Sequence, residues 1–275
     1  MMTQSVYLVD AVRTPFGKAG SLYAESRADD LIVRAIRGLL ERNPQLPLDR
    51  IDDVAIAAAT QIGDQGLNLG RMAAILAGLP KSVPGYSIDR MCAGALTAVT
   101  TSASSIAFGA ADVVLAGGVE HMGRHPMGEG ADPNPRFVAE KIADQKALVM
   151  GETAENLHDK FPQLTKERCD QFALNSQLKT AKAYSDGNIS KDLIPVAVRH
   201  AEQGWTLATT DEPPRPGTTL DGLTALKTPF RPNGRVTAGN ASGLNDGATI
   251  SMLASEQAIK EFGLPKKAKI GRAHV

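Results

Sequence analysis

Two cysteines occur among the 275 residues, Cys92 and Cys169. Cys92 lies in the stretch Gly85-Tyr86-Ser87-Ile88-Asp89-Arg90-Met91-Cys92-Ala93-Gly94-Ala95-Leu96. Residues 86–88 read as a short extended run. Leu96, Val99, Ala103 and Ile106 then recur at helical spacing as far as Phe108, with Gly109 as the stop. Cys92 therefore falls at a helix start, facing unpaired backbone N–H groups and the positive end of the helix dipole. Both favour thiolate over thiol, so the pKa should fall and nucleophilicity rise. Ala93, Gly94 and Ala95 leave room for a substrate to approach. A free cysteine is equally a common small core residue. Position alone thus leaves packing and covalent catalysis both open.

The other chemistry-bearing residues are sparser. His121, His125 and His158 lack metal-ligand spacing with other ligand types, so no metal is expected. The Glu120-His121 pair reads as support at a strand end. Cys169 falls on one side of a helix with Phe172, Ala173, Ser176, Ala183 and Tyr184, where packing is the simplest role.

The elements that must position Cys92 alternate strand and helix. Val6-Tyr7-Leu8-Val9 is a buried strand ended by Asp10 and the turn residues 13–17. Ser26 and Asp29 resemble a capping box before the helical Leu31, Ile32, Ala35, Ile36, Leu39 and Leu40, and Asn43-Pro44 ends that helix. A strand over 54–57 follows, then a Gly- and Gln-rich loop over 61–66, a helix over 69–77, the Cys92 unit, and a strand over 112–116. Such alternation implies right-handed βαβ units and a mostly parallel sheet covered on both faces. From 119 to 247 the pattern changes. Loops over 123–135, 211–219 and 230–246 separate helices at 152–160 and from 165 to 187 and a short strand at 194–198. A strand at 248–253 and a helix at 255–262 follow. This last strand is expected to rejoin the first sheet. The domain plan is therefore a discontinuous α/β domain, 1–118 plus 248–269, with 119–247 inserted.

Composition bounds the function classes. Hydrophobic residues make up 43% and charged residues 22%, with thirty basic against thirty acidic side chains. That balance suits a globular protein and argues against nucleic acid as the main partner. Two cysteines make a disulfide framework improbable and point to a reducing compartment, here the cytoplasm. No basic region followed by an apolar segment opens the chain, so no signal peptide is expected. No apolar run reads as long enough to span a bilayer. A nucleotide-binding α/β domain is disfavoured, because no Gly-x-Gly-x-x-Gly follows the first strand. The terminal Ile270-Gly271-Arg272-Ala273-His274-Val275 reads as non-native sequence, the in-frame translation of a sequencing-adapter end.

Four blocks, in order, resemble the N-terminal portion of a thiolase. They are 89–96 around Cys92, Ala116-Gly117-Gly118-Val119-Glu120-His121-Met122, Met150-Gly151-Glu152-Thr153-Ala154-Glu155-Asn156, and 236–248, which matches almost residue for residue. The resemblance extends to about Lys269. It implies a layered βαβ half with an inserted loop domain that cradles coenzyme A, a second α/β half being missing. It also implies acyl transfer through Cys92: cleavage of 3-ketoacyl-CoA by CoA to acetyl-CoA and a shortened acyl-CoA, or the reverse Claisen condensation. By the same resemblance Met150, Phe230, Ala238, Ser242 and Leu244 line the pantetheine path, and Arg215 lies at the nucleotide end. Read from the residues alone, Arg215 is a solvated loop residue and Phe230 part of a small satellite core. CoA and acyl-CoA are then substrates, with no permanently bound cofactor, and the full protein is expected to form a homodimer or homotetramer.

Departures bear on fine tuning. Asp89 stands where the family commonly has Asn, and Gly94 where Ser is common. Val149 precedes Met150 where some short-chain biosynthetic members carry His, which favours the degradative 3-ketoacyl-CoA group. The family's Gly-His-Pro histidine, second cysteine and Asn-Glu block lie in the second half and do not occur here. The chain by itself is therefore expected not to complete the cycle, and to expose the apolar face meant for that half. The alternatives are a short-chain acetyl-CoA C-acetyltransferase, or a non-catalytic acyl-CoA- or lipid-binding relative.

Overall fold

A computed structural model describes residues 4–200, 202 and 204–271. Arg272 to Val275, the greater part of the supposed non-native tail, lie outside the described residues. In chain order the elements are β1 (Val6–Arg13), β2 (Gly17–Lys18), α1 (Ala28–Glu41), β3 (Asp53–Ala57), α2 (Leu69–Ala77), β4 (Tyr86–Ile88), α3 (Gly94–Phe108) and β5 (Val113–His121). Then come α4 (Arg136–Ala139), α5 (Met150–Lys160), α6 (Lys166–Ser185), β6 (Val196–His200), β7 (Gly204–Ala208), α7 (Leu220–Thr224), β8 (Asn245–Ser255), α8 (Glu256–Phe262) and β9 (Ala268–Ile270). The chain divides into two compact units. One takes the described parts of 1–129, 190–212 and 244–275, and the other takes 130–189 and 213–243.

The first unit is built on a seven-stranded sheet of order β4-β3-β5-β8-β1-β9, with β2 paired to β8. β3 runs parallel to β4 and β5, while β8 lies antiparallel between β5 and β1 and β9 antiparallel to β1, so the sheet is mixed rather than mostly parallel as expected. The expected return of the final strand is thus met. It enters the middle of the sheet, and its pairing draws β1, β5 and β8 out beyond their expected lengths. Alternate strand residues feed two cores. Val54, Ile56, Val113, Leu115, Ile250 and Met252 pack with α1 and α2 residues such as Leu31, Ile36 and Ala73. Ala55, Val114, Ala116 and Leu253 pack with Ala98, Ala103 and Ile106 of α3. Burial on both faces explains strands that are apolar throughout.

Three local expectations are corrected. Ser26 does not cap α1. The cap position is Arg27, and the Ala28 N–H instead donates to the Asp64 carboxylate at 3.3 Å. Residues 119–129, 190–212 and 244–247, read as part of the insertion, belong to the first unit. Arg13 and Leu193 form a bridge, and alternation along β6 sends Val196 and Val198 into the main core. Residues 91–108 are, by length and composition, apolar enough to cross a membrane, contrary to the sequence reading. In this fold they are the Cys92 turn and α3, whose Ala98, Ala103 and Ile106 stripe packs on the sheet.

The second unit contains none of the strands among its described residues and is held by polar clamps. Arg231 reaches three residues on one face of α5: Glu152 Oε2 at 2.8 Å, Asn156 Oδ1 at 2.5 Å and Asp159 Oδ2 at 2.7 Å. The buried Asp170 of α6 accepts from Lys166 at 2.6 Å and from the Asn240 amide at 2.9 Å.

Ile250 is fully buried in the central strand. Ile250→Ala is expected to destabilise the chain by about 2–5 kcal/mol, the usual cost of such a cavity. Urea unfolding with an unchanged slope and a lowered midpoint is the expected result.

Candidate active site

The strand β4 delivers the chain to Cys92. At its end Asp89 Oδ1 accepts the Met91 N–H at 2.7 Å. Met91 takes the left-handed conformation, φ +48°, which is uncommon for a side chain of this kind. A short 3₁₀ turn, Met91–Ala93, then leads into α3, and the Ala93 N–H donates to the Arg90 carbonyl. The sharp turn leaves Cys92 exposed. Cys92 therefore sits one residue ahead of the turn's junction with α3, just past the carboxyl end of a parallel strand. Open α/β sheets bind ligands at that end.

Small residues let the turn sit close to the sheet. A Cβ on Gly94 would lie 2.9 Å from the Ala57 Cβ. One on Gly118 would lie 2.9 Å from the Ala57 carbonyl oxygen and 3.2 Å from the Ala95 Cβ. The Gly94 that departs from the family's usual Ser thus packs inward, against β3.

The ends of β3 and β5 carry a polar brace wider than the Glu120-His121 pair. Glu120 accepts the Ala59 N–H and the Gln65 amide, each at 2.8 Å. Gln65 is fully buried; it also donates to the Thr60 carbonyl and accepts the His121 N–H, each at 2.8 Å. The His121 ring, also fully buried, lies 3.0 Å from the Tyr23 carbonyl and 3.4 Å from Asp246 Oδ1. Asp246 Oδ1 also accepts the Gly123 N–H at 2.9 Å, while its Oδ2 has no hydrogen-bond partner among the described residues. Glu120 and His121 are supports, as expected. The signal for Gln65 was present in the loop Gly63-Asp64-Gln65-Gly66, where two polar residues sit between glycines.

Asp64 joins three segments. It accepts from the α1 terminus at Ala28, lies 2.5 Å from His125 Nε2 and 3.0 Å from Arg124 Nε. Burial alone would raise its pKa. The His125 contact, the Ala28 N–H and the Arg124 charge outweigh burial and hold the carboxyl below its ordinary value.

The remaining predicted site residues divide between the units. Leu244 belongs to the first, its carbonyl accepting the Ala19 N–H at 3.0 Å. Met150, Arg215, Phe230, Ala238 and Ser242 belong to the second. There the Phe230 ring covers Gly151, where an added Cβ would come within 2.3 Å of it, so Phe230 stands at the start of α5 beside the exposed Met150. Ala238 and Ser242 are exposed on the loop after Val236, and the Ser242 hydroxyl donates to the Gly243 carbonyl at 3.0 Å. That loop is pinned by Glu155, which accepts the Arg235 and Val236 N–H groups at 2.8 and 2.9 Å. Arg215 is exposed, and its backbone N–H donates to Gln177 of α6 at 2.8 Å. Among the described residues no group of three or more ligand-type side chains could hold a metal ion.

Asp64 generates a pH prediction. A depressed folded pKa gives stability that is present above the unfolded value, about 3.9, and lost as pH falls through the folded value. Asp64→Asn is therefore expected to be less stable than the parent at neutral pH, the difference shrinking below pH about 3.9. Urea midpoints across acid pH measure this, and a difference independent of pH would refute it.

Comparison with known proteins agrees with this architecture. The family described as "Thiolase, N-terminal domain" matches residues 6–257. A beta-ketoadipyl-CoA thiolase of Acinetobacter baylyi is 41% identical over 279 residues, covering 96% of this chain and 69% of that protein. The 3-oxoadipyl-CoA/3-oxo-5,6-dehydrosuberyl-CoA thiolase of Escherichia coli is 42% identical, covering 97% and 70%. The crystal structure of human mitochondrial 3-ketoacyl-CoA thiolase superimposes with a TM-score of 0.87 at 32% identity, covering 98% of this chain and 70% of that one. The same human enzyme in complex with CoA gives 0.85, with coverage of 98% and 69%. With the matching family, the identity to curated relatives and the shared fold all in agreement, this chain belongs to the thiolases, the acyl-CoA acyltransferases.

Proposed function

We propose that Cys92 is the acyl acceptor of a thiolase reaction on 3-ketoacyl-CoA. The observation that carries this reading is the placement of its thiol, exposed on a turn at the carboxyl end of β4 and held by the left-handed Met91. In the degradative direction the Cys92 sulfur attacks the 3-keto carbon and the bond between C2 and C3 breaks. Acetyl-CoA leaves after its C2 carbanion takes up a proton. The acyl group remains as a Cys92 thioester, which the thiol of a second CoA then releases. A covalent thioester splits one difficult carbon–carbon step into two easier ones. Relative concentrations set the direction.

In this reading Met150, Phe230, Ala238, Ser242 and Leu244 line the pantetheine arm. Arg215 faces the nucleotide end, where a guanidinium suits phosphate. Support comes from the human thiolase solved in complex with CoA, whose fold this chain shares. A 3-ketoacyl chain ending in a carboxylate is the first substrate to try, because several relatives are named beta-ketoadipyl-CoA thiolases. A short-chain acetyltransferase is the second reading, favoured by the Bacillus anthracis acetyl-CoA acetyltransferase structure at TM-score 0.85.

Acyl exchange tests Cys92 without needing carbon–carbon chemistry. With acetyl-CoA near pH 8.5, about where an ordinary thiol ionises, peptide mass spectrometry is expected to find an acetyl thioester on Cys92. Cys92→Ser should lose it. The 275-residue chain by itself is expected to give no detectable thiolysis, since no side chain among the described residues is hydrogen-bonded to Cys92. An unacylated Cys92 favours a non-catalytic binding relative.

Arg215 offers a separate check. Arg215→Ala should weaken CoA binding by about tenfold, roughly the loss of one charged hydrogen bond. Pantetheine, which lacks the nucleotide, should bind both proteins equally. Equal CoA affinity in the two proteins would return Arg215 to a solvated loop residue.

A further inference from the structure

The second cysteine, read from the sequence as a packing residue, has company that packing does not require. In the second unit Cys169 Sγ lies 3.7 Å from His158 Nε2, and His158 Nδ1 lies 3.4 Å from Glu155 Oε2. Thiol, imidazole and carboxylate stand in line, the order in which a carboxylate orients a histidine to take a proton from a nucleophile. Glu155 and His158 lie on one face of α5, one turn apart, and Cys169 lies on α6. Both members behind the thiol are buried, His158 at 9% and Glu155 at 3% exposure, whereas Cys169 remains partly open.

The carboxylate is fixed as an acceptor. Its Oε1 takes the Arg235 and Val236 N–H groups, leaving Oε2 for the ring. Burial alone would raise the Glu155 pKa, but those N–H groups and His158 hold it below the usual range. An ionised Oε2 selects the tautomer with hydrogen on Nδ1, so the lone pair of Nε2 faces the thiol. The Arg235 guanidinium donates to the His158 carbonyl at 2.6 Å and to the Leu164 carbonyl at 3.0 Å, bracing the α5–α6 turn.

We infer that Cys169 is a peroxide-reactive thiol, oxidised to a sulfenic acid with His158 as the proton relay. The thiol proton passes to His158 Nε2 and the sulfur attacks the nearer oxygen of hydrogen peroxide. The O–O bond breaks, and the departing oxygen takes the proton back from His158. Sulfur loses two electrons and the peroxide gains them, giving Cys169 sulfenic acid and water. This displacement requires a base, a returning proton and space for a small reagent. It requires no set of donors for a carbonyl oxyanion, and the geometry supplies the first two.

Burial, and after it the Asp170 carboxylate, push the Cys169 pKa up. Ionisation to solvent is thereby disfavoured, and the imidazole in contact is the base placed to take the proton. The charged groups facing the thiol are Glu155 on α5, Asp170 and Arg168 on α6, and Arg235 beyond them. Asp170 is itself held by Lys166 and Asn240.

The test is oxidation of the 275-residue chain by hydrogen peroxide at neutral pH, with dimedone trapping the sulfenic acid and peptide mapping giving the site. Cys92→Ser removes the competing thiol. The expected result is a dimedone adduct on Cys169, formed at least tenfold faster than on a small thiol of ordinary pKa. His158→Ala should slow it at least tenfold while circular dichroism shows the helices kept. Should that variant not fold, the pH profile of the parent decides. Relay through His158 gives a rate that levels off well below the range in which a thiol ionises, whereas simple thiolate attack climbs through that range. A rate matching the free thiol, or one climbing without a plateau, overturns the inference. The outcome is independent of whether Cys92 accepts an acyl group.

Discussion

The antiparallel strand β8 is the piece on which the first unit depends. It lies between β5 and β1, pairing over nine residues with the former and, across a bulge near Val9, with the latter. Remove it and the parallel strands β3, β4 and β5 separate from β1. Both hydrophobic layers then lose their middle, since Ile250 and Met252 fill one and Leu253 the other. Its start, Asn245 to Gly247, also carries Asp246, which meets His121 and Gly123 in the brace behind the Cys92 turn. One strand therefore closes the sheet and fixes the region behind the candidate nucleophile.

Around Cys92 the polar support is arranged by burial. Gln65 and His121 are fully buried and Glu120 half-buried, so their polar groups must find partners within the protein. Their hydrogen bonds tie the loop after β3 to the end of β5. Asp64 does the same for the start of α1 and the segment carrying Arg124 and His125. The second unit uses charge in another way. Arg231 and Asp170 stitch helices to loops where few apolar side chains are buried. Two sequence blocks recognisable as thiolase, 150–156 and 236–248, are joined within the second unit, because Glu155 of the first holds Val236 at the head of the second and Arg235 just before it.

Much of this was legible in the residues, for identifiable reasons. Helix α2 and strand β4 were placed to the residue, because glycine, proline and apolar runs mark local boundaries. Cys92 was placed at the helix start for the same reason, although the intervening 3₁₀ turn and the left-handed Met91 were not foreseen. Nothing in the type of a methionine announces a positive φ. The Ser26 cap failed because the acceptor came from Asp64, far away in sequence. β7 was missed because Trp205 and Leu207 are exposed and its pattern carries little core signal. The lengths of β1, β5 and β8 were underestimated because partners set strand ends. The alignment of Cys169 with His158 was invisible, since it joins two helices across a turn.

The position of β8 also carries a cost in time. Val113 pairs with Ala254 and Val6 with Ser255, so the sheet cannot close until most of the chain has been made. During synthesis, β3, β4 and β5 can associate early, but β5 then presents an open edge while the whole second unit is being translated. Contacts so distant in sequence slow folding and prolong the exposure of unpaired strand edges. Gly117 and Gly118, flat and small at that edge, make close backbone approach easy for any passing strand. The nascent chain is thus most vulnerable to mispairing in the interval between the emergence of His121 and that of Ser255, a window during which a chaperone has most to do.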